Sequence, residues 1–192
     1  MSAAIRKLTW DDIKDLPESH VEIVDGELVV SPPPSVGHQL ICTRLADVIR
    51  PFVIDRDLGE FFPREVHVVL AEHIHYEPDM CFIGKGREID PELPYFEGPP
   101  DLVIEVISES NRTHDTVVKY RDYERHGVRE YWLVDPRERH IRVYVLESGA
   151  YRLLGVYAAG DELTSRVLEG LAFDPGPVFN LEARGWRTRP VP

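Results

Sequence analysis

Apolar residues along this chain of 192 residues change repeatedly between a two-residue period and a helical period. Alternating apolar positions flank Asp25-Gly26, a dipeptide that favours a type I′ turn, and this pattern predicts a β-hairpin over residues 21–31. From Ser35 to Phe52 the spacing becomes helical, which predicts an amphipathic helix with Ser35 as its N-cap. Thr9 is expected to begin a short helix before the hairpin.

Two strand-like segments follow, Glu60 to Leu70 and His73 to Ile83. Both are rich in aromatic and β-branched residues and are separated by a polar turn, so they predict a second hairpin. Gly84 to Pro100 is rich in glycine, proline and charge, which indicates a surface excursion between strands.

Residues 101–135 are predicted to form a β-α-β unit. Asp101 to Ser108 is apolar on both alternating faces, as expected of a central strand that is covered on both sides. A helix follows and ends at Gly127, a favourable residue for a helix C-terminus. Another buried strand is predicted over Glu130 to Asp135, and further strands over His140 to Glu147 and Ala150 to Tyr157.

The composition indicates a single domain spanning residues 1–192. Its 43% hydrophobic and 29% charged residues are close to the averages of globular proteins. Thr9, Asp11 and Asp12 stand where a secretory signal needs an apolar run, and no apolar stretch approaches the ~20 residues of a membrane span. We therefore expect a cytoplasmic protein without membrane association, with Cys42 and Cys81 as buried, reduced thiols.

The net charge of −12 argues against a protein that coats nucleic acid non-specifically. Residues 112–142 are an exception, because eight basic and six acidic residues make this segment locally positive. A surface that faces phosphate is expected near this segment, or else a bound metal must offset the carboxylates. A solvated helix of mixed charge explains the segment equally well.

Glu105 is conspicuous because an ionised carboxylate inside an apolar strand is costly unless it is paired or binds a metal. Asp79 lies 26 residues upstream in another strand-like segment. Two carboxylates on neighbouring strands suit a hard cation such as Mg²⁺, with Mn²⁺ as a substitute. The alternative is a pair of acids at strand ends that face solvent.

Several segments together resemble the Uma-type restriction endonuclease family of the PD-(D/E)XK nuclease superfamily. The matching segments are Glu77-Pro-Asp79, Pro100 to Ser108, Asp115 with Lys119 and Tyr123, Gly127 to Pro136, and upstream Glu22, Asp25-Gly26 and the proline-rich loop that leads to His38. The resemblance implies an α/β fold with a restriction-endonuclease-like mixed β-sheet core flanked by helices, and an N-terminal β-hairpin extension. It also implies a Mg²⁺-dependent endonuclease that cleaves DNA, with Asp79 and Glu105 as the metal-binding acids.

One position departs from the superfamily pattern, because Ile107 stands where a lysine is expected. The resemblance implies that Lys119, on the following helix, substitutes for it as a catalytic residue. An ordinary helical ion pair between Lys119 and Asp115 is the alternative. Further candidates for orienting the site or binding substrate are Glu22, His38 and Asp101, although roles in a hairpin, a helix cap and a strand start explain them as well.

Two other functions fit parts of the sequence. His73 and His75 would face the same way on a strand, near His67 and Asp79, as in a cupin-like transition-metal site, but that site leaves Glu105 unexplained. A catalytically inactive nuclease fold that only binds a partner is the second alternative. We also expect a homodimer, because one small acidic domain offers little surface for gripping nucleic acid and two-fold pairing is the commonest assembly.

Overall fold

The computed structural model describes residues 6–16, 20–64, 66–108 and 112–181. In chain order the elements are α1 (Trp10–Ile13), β1 (Val21–Val24), β2 (Glu27–Val30), α2 (Val36–Asp55), β3 (Gly59–Phe62), β4 (His67–Ala71), β5 (Ile74–Tyr76), β6 (Met80–Gly84), β7 (Tyr95–Glu97), β8 (Leu102–Val106), a π-helical segment (His114–Lys119), α3 (Tyr120–His126), β9 (Glu130–Asp135), β10 (His140–Glu147), β11 (Ala150–Tyr157), β12 (Leu163–Thr164), β13 (Ala172–Phe173) and α4 (Gly176–Phe179).

The strands form two larger sheets and one small one. A six-stranded sheet has the order β11-β10-β9-β8-β6-β3, and within it only β8 and β9 run parallel. A five-stranded sheet has the order β2-β1-β5-β4-β7, and β12 pairs with β13. The predicted mixed sheet with an N-terminal hairpin is therefore present, and β8 lies in the interior of the larger sheet.

Helices cover both faces of the six-stranded sheet. On one face α2 buries Ile41, Leu45 and Ile49 in a cluster with side chains of β6, β8 and β9. On the other face Tyr123 of α3 packs with Val103 and other residues of the same strands. Because successive strand residues point to opposite faces, β8 contributes side chains to both clusters. No helix in the described ranges is long and apolar enough to cross a membrane.

Most of the predicted elements are confirmed. The first hairpin turns through positive φ at both Asp25 (49°) and Gly26 (82°), as a type I′ turn requires. The Ser35 hydroxyl accepts a hydrogen bond from the His38 N–H at 3.2 Å and caps α2, which continues beyond Phe52. Gly127 ends α3 with a φ of 89°.

The predicted second hairpin is wrong in its extent. Each of its two strands is divided, and only the inner pieces, β4 and β5, pair as a hairpin in the five-stranded sheet. The outer pieces, β3 and β6, pair in the six-stranded sheet. Pro63 and Pro78 stand at the two divisions, where a residue without an N–H interrupts a β-ladder. The predicted surface excursion also contains a strand, β7, which pairs in parallel with β4.

Candidate active site

Asp79 and Glu105 meet where β6 and β8 pair. Met80 lies opposite Ile104 in this antiparallel ladder, so Asp79 lies opposite Glu105 one step further along. The Val106 N–H donates a 2.7 Å hydrogen bond to Asp79 Oδ2, which fixes this carboxylate against β8. Both acids line a cleft of about 660 Å³, although Glu105 is only 3% exposed.

Lys119 reaches the same point from the π-helical segment. Its Nζ lies 3.0 Å from Glu105 Oε1, 2.8 Å from Glu22 Oε1 and 3.8 Å from Asp115 Oδ1. The side chain is buried, with 5% of the residue exposed. The predicted pairing with Asp115 is thus present, but it is the longest of three contacts with carboxylates. Lys119 is therefore part of the buried charge cluster and not of an exposed helix surface.

Glu22 brings the N-terminal hairpin into this cluster. Its Oε2 lies 2.8 Å from His114 Nε2, and its Oε1 accepts a 3.1 Å hydrogen bond from the Glu77 N–H. Because Glu22 Oε1 also contacts Lys119, one carboxylate joins β1, the π-helical segment and the residues that lead to Asp79.

Two further side chains hold the acids in place. The Tyr123 hydroxyl donates a 2.8 Å hydrogen bond to Glu105 Oε1, the oxygen that also contacts Lys119. His38 Nε2 lies 3.1 Å from Asp79 Oδ2, and the Cys42 thiol lies 3.7 Å from the other ring nitrogen, Nδ1. The predicted candidate His38 is thus adjacent to Asp79, at the N-terminal end of α2.

The pKa values reflect crowded negative charge. Burial raises the pKa of Glu105 well above its ordinary value; Lys119 opposes this shift, and Asp79 and Asp115 add to it. Burial likewise raises the pKa of Asp115 to about 6, against the influence of Lys119. At Glu22 burial also raises the pKa, but Lys119 and His114 outweigh it and lower the pKa to about 2. The three carboxylates surround Lys119, whose pKa they raise despite its burial.

Asp101 lies away from this cluster. Its Oδ2 accepts a 2.8 Å hydrogen bond from the Gly84 N–H, and its Oδ1 lies 3.1 Å from Arg129 Nη1. It precedes the first residue of β8, whereas Glu105 lies near the last, and it does not line the cleft. Its contacts are those of a strand-start residue, so the suggestion that Asp101 orients the site has no support.

Two histidines of the cupin-like alternative form contacts with the N-terminal segment of the chain. His73 Nδ1 lies 2.8 Å from the Leu8 carbonyl oxygen, and the His75 ring stacks on Trp10 with 5.9 Å between centroids. Across the described ranges, the group of three potential metal ligands that lie together is His38, Cys42 and Asp79. The proposed set of His67, His73, His75 and Asp79 is therefore not assembled.

Sequence reasoning did not assign roles to four residues of the site: His114, Tyr123, Arg112 and Asp135. Tyr123 carried a signal, because it follows Lys119 by four residues and so shares its helical face. Arg112 and Asp135 line the cleft and form an ion pair with 2.9 Å between Nη1 and Oδ2. Nothing local in the sequence marks this pair.

Comparisons with known proteins identify the family of the chain and a solved structure with a similar fold. Residues 9–176 match the model of a family described as "Uma2: Putative restriction endonuclease". The fold is similar to that of a solved structure from Anabaena variabilis ATCC 29413, described as "a putative nuclease belonging to DUF820". That match has a TM-score of 0.76 and 23% identity, and covers 90% of this chain and 98% of the other. No curated protein matches the chain. The likeness shows a shared fold, and the predicted nuclease-type mixed-sheet core is confirmed.

Proposed function

The chain belongs to the Uma2 family of restriction-endonuclease-like proteins, and from this premise we propose that it is a Mg²⁺-dependent endonuclease that hydrolyses DNA. The observation that carries the proposal is the meeting of two strand acids with a buried lysine in one cleft. Asp79 and Glu105 are opposed across β6 and β8, and Lys119 Nζ lies 3.0 Å from Glu105.

The donor set fits a hard cation. Within the described ranges, one lysine and two arginines line the cleft against six carboxylates, those of Glu22, Glu77, Asp79, Glu105, Asp115 and Asp135. This excess of negative charge favours a divalent cation, and carboxylate oxygens are the ligands that Mg²⁺ and Mn²⁺ prefer. Asp79 and Glu105 would hold the ion, because they face each other at the strand pairing.

When bound, the ion would supply an acidified water and charge stabilisation at the scissile phosphate. Lys119 has a compact ammonium that can donate hydrogen bonds to a phosphate oxygen, as catalysis by electrostatic stabilisation requires. Tyr123 and Lys119 both hydrogen-bond to Glu105 Oε1 and so fix the orientation of that carboxylate. His38 contacts Asp79 in the same way.

DNA is the proposed substrate because the family is described as one of restriction endonucleases. The distribution of charge supports a phosphate-binding surface beside the site. Arg112 and Arg137 line the cleft, and both belong to the segment 112–142, which is the locally basic part of an otherwise acidic chain. Phosphate contacts supply much of the affinity of proteins for DNA.

The variants Asp79→Asn and Glu105→Gln test the proposal, because each keeps the size of the side chain and removes its charge. We expect each to weaken Mn²⁺ binding in isothermal titration by at least about 100-fold, since losing even an indirect partner of a metal ligand costs ~10 to 100-fold. Cleavage of plasmid DNA should be lost with it.

Asp101→Asn is the matched control. Asp101 is a buried aspartate next to β8, but it lies outside the cleft. This variant should keep the metal affinity and the cleavage of the unaltered chain. Unchanged Mn²⁺ affinity in both folded site variants would contradict the proposed metal ligands.

A further inference from the structure

A second, smaller cavity lies against Asp79. It has a volume of about 310 Å³, and Cys42 and Gln39 of α2 line it together with Asp79. Asp79 therefore borders two cavities, of which only the larger contains Glu105 and Lys119. The small cavity gives access to Cys42, which the proposed nuclease site does not use, whereas His38 lines the larger cleft.

Three different ligand types converge beside this cavity. His38 and Cys42 are four residues apart on α2, and residues at this spacing share one helix face. One potential ligand atom from each of His38, Cys42 and Asp79 lies within 4.8 Å of the others. The Cys42 residue is buried, and the side chains of His38 and Asp79 are 9% and 14% exposed.

This spacing is close to that of a metal centre. Zinc binds sulfur, nitrogen and oxygen at about 2.0 to 2.3 Å, so the ligand atoms of a tetrahedral site lie roughly 3.5 Å apart. The His38 ring lies between the other two ligands, with Nε2 3.1 Å from Asp79 Oδ2 and Nδ1 3.7 Å from Cys42 Sγ, and it can offer one of these nitrogens to an ion. Closure of the three groups around an ion requires rotation of these side chains, whose ligand atoms lie within 4.8 Å of one another.

We propose that His38, Cys42 and Asp79 form a second metal site, specific for a thiophilic divalent cation such as Zn²⁺. On binding, the Cys42 thiol releases its proton to solvent and a Zn–S bond forms, while a His38 ring nitrogen and an Asp79 oxygen replace hydrogen bonds with metal bonds. Solvent in the small cavity completes the tetrahedron. Mg²⁺ does not displace Zn²⁺ from the sulfur and nitrogen ligands, because it demands oxygen donors in octahedral geometry.

Occupation of this site has a consequence that rests on the proposed function. Asp79 belongs to both ligand sets, so an ion held with His38 and Cys42 draws Asp79 away from Glu105. The thiophilic ion then inhibits by raising the Mg²⁺ concentration needed for cleavage. The two metal ions thus bind at different positions, and they compete because both need the Asp79 carboxylate.

Cobalt titration of the full chain tests the site directly, since Co²⁺ replaces Zn²⁺ and gives a near-ultraviolet absorption band when a thiolate binds it. We expect one equivalent to saturate this band in the unaltered protein. Cys42→Ala should abolish the band, and His38→Ala should weaken binding by at least about tenfold. Cys81→Ala is the matched control, because it removes the only other thiol of the chain and should keep the band.

A second measurement covers the case in which Cys42→Ala does not fold. Zn²⁺ should slow the alkylation of Cys42 in the unaltered protein, as read by peptide mass spectrometry, whereas Mg²⁺ should not. Absence of the cobalt band, its persistence in folded Cys42→Ala, or equal alkylation rates with and without Zn²⁺ would overturn the proposal.

The two proposals fail in different ways. A cobalt band in a protein that never cleaves DNA contradicts the nuclease function and leaves the thiophilic site intact. Cleavage of DNA without a cobalt band contradicts the thiophilic site and leaves the nuclease function intact. If both hold, added Zn²⁺ should raise the half-saturating Mg²⁺ concentration in the unaltered protein and have less effect in Cys42→Ala.

Discussion

At the scale of single residues, the burial of Lys119 determines what its removal should do. Lys119→Met keeps the apolar stem but leaves the carboxylates of Glu22 and Glu105 without their cation. Breaking a buried ion pair from one side costs about 3 to 5 kcal/mol, so we expect a loss of this order in urea unfolding. Cleavage should be lost, and Mg²⁺ should stabilise this variant more than the unaltered protein, because the ion replaces part of the missing charge.

Lys119→Arg should restore little activity, because a broad planar guanidinium does not fit a buried position shaped for an ammonium. Lys85→Met is the control for the loss of a lysine, since Lys85 forms an exposed ion pair with Asp57. Such pairs contribute about 0 to 1 kcal/mol, and cleavage should not change. A Lys119→Met protein that cleaves DNA normally would restrict the role of Lys119 to the structure.

The residues of the site differ in how far the sequence reveals them. Asp79 and Glu105 were predictable, because acids within strand-like apolar segments require compensation. The sequence pattern could not distinguish Lys119 from a surface lysine, and the role proposed for it came from family resemblance. The contact between Glu22 and His114 joins residues 92 positions apart, and no local pattern encodes such a distance.

At the scale of elements, the helix between β8 and β9 shows where periodicity is insufficient. The sequence predicted one regular helix, but its first part, His114–Lys119, is π-helical. The i→i+5 hydrogen bonding of a π-helix brings residues five apart onto one side. His114 and Lys119 have this spacing, and both contact Glu22. A side-chain pattern predicts that a helix exists. Tertiary contacts at the end of the helix determine whether its hydrogen bonding is α-helical or π-helical.

The strands β4 and β5 make stability depend on pH. Burial lowers the pKa of His75 and of His67 below the ordinary 6.5, although Glu22 opposes the shift at His67. The unfolded chain therefore binds more protons than the folded chain below pH 6.5. As a result, the free energy of unfolding decreases as the pH is lowered. Above this pH the stabilisation is complete. We expect both histidines to contribute to this loss of stability as the pH is lowered.

Urea unfolding on either side of pH 6.5 measures this effect, with His75→Phe as the variant. Phenylalanine keeps a flat ring against Trp10 and removes the titrating group. Asp115, with its pKa raised to about 6, acts in the opposite direction, so the difference between the two proteins is the informative quantity. The variant should lose less stability on acidification, and parallel pH profiles would exclude His75 as a source of the dependence.

At the scale of the whole molecule, we predict a homodimer of single-domain chains. The chain carries a net charge of −12, and its locally basic segment, residues 112–142, contributes Arg112, Lys119 and Arg137 to the cleft. Two cleft surfaces related by a two-fold axis would grip a DNA duplex better than one, and two-fold pairing is the commonest assembly. Light scattering at high micromolar concentration should give twice the mass of one chain. A monomer under these conditions would contradict the prediction and leave the metal site untouched.

The division of strands between two sheets was beyond the reach of the sequence. The prolines at positions 63 and 78 were visible, but a proline shows only that a ladder is interrupted, not which sheet each piece joins. That choice depends on long-range partners: β5 joins β1, whereas β6 joins β8.

The position of Lys119 has a consequence for how the molecule is assembled. Glu22 belongs to the five-stranded sheet and Glu105 to the six-stranded sheet, and one ammonium contacts both. Lys119 therefore links the two sheets through ion pairs. Its carboxylate neighbours Glu22 and Glu105 come together only after the two sheets have packed against each other. A chain shortened to begin after the first hairpin would retain Asp79, Glu105 and Lys119. It would lack Glu22, so Lys119 would no longer form an ion pair with the five-stranded sheet. The proposed cleavage of DNA would therefore depend on completed tertiary structure.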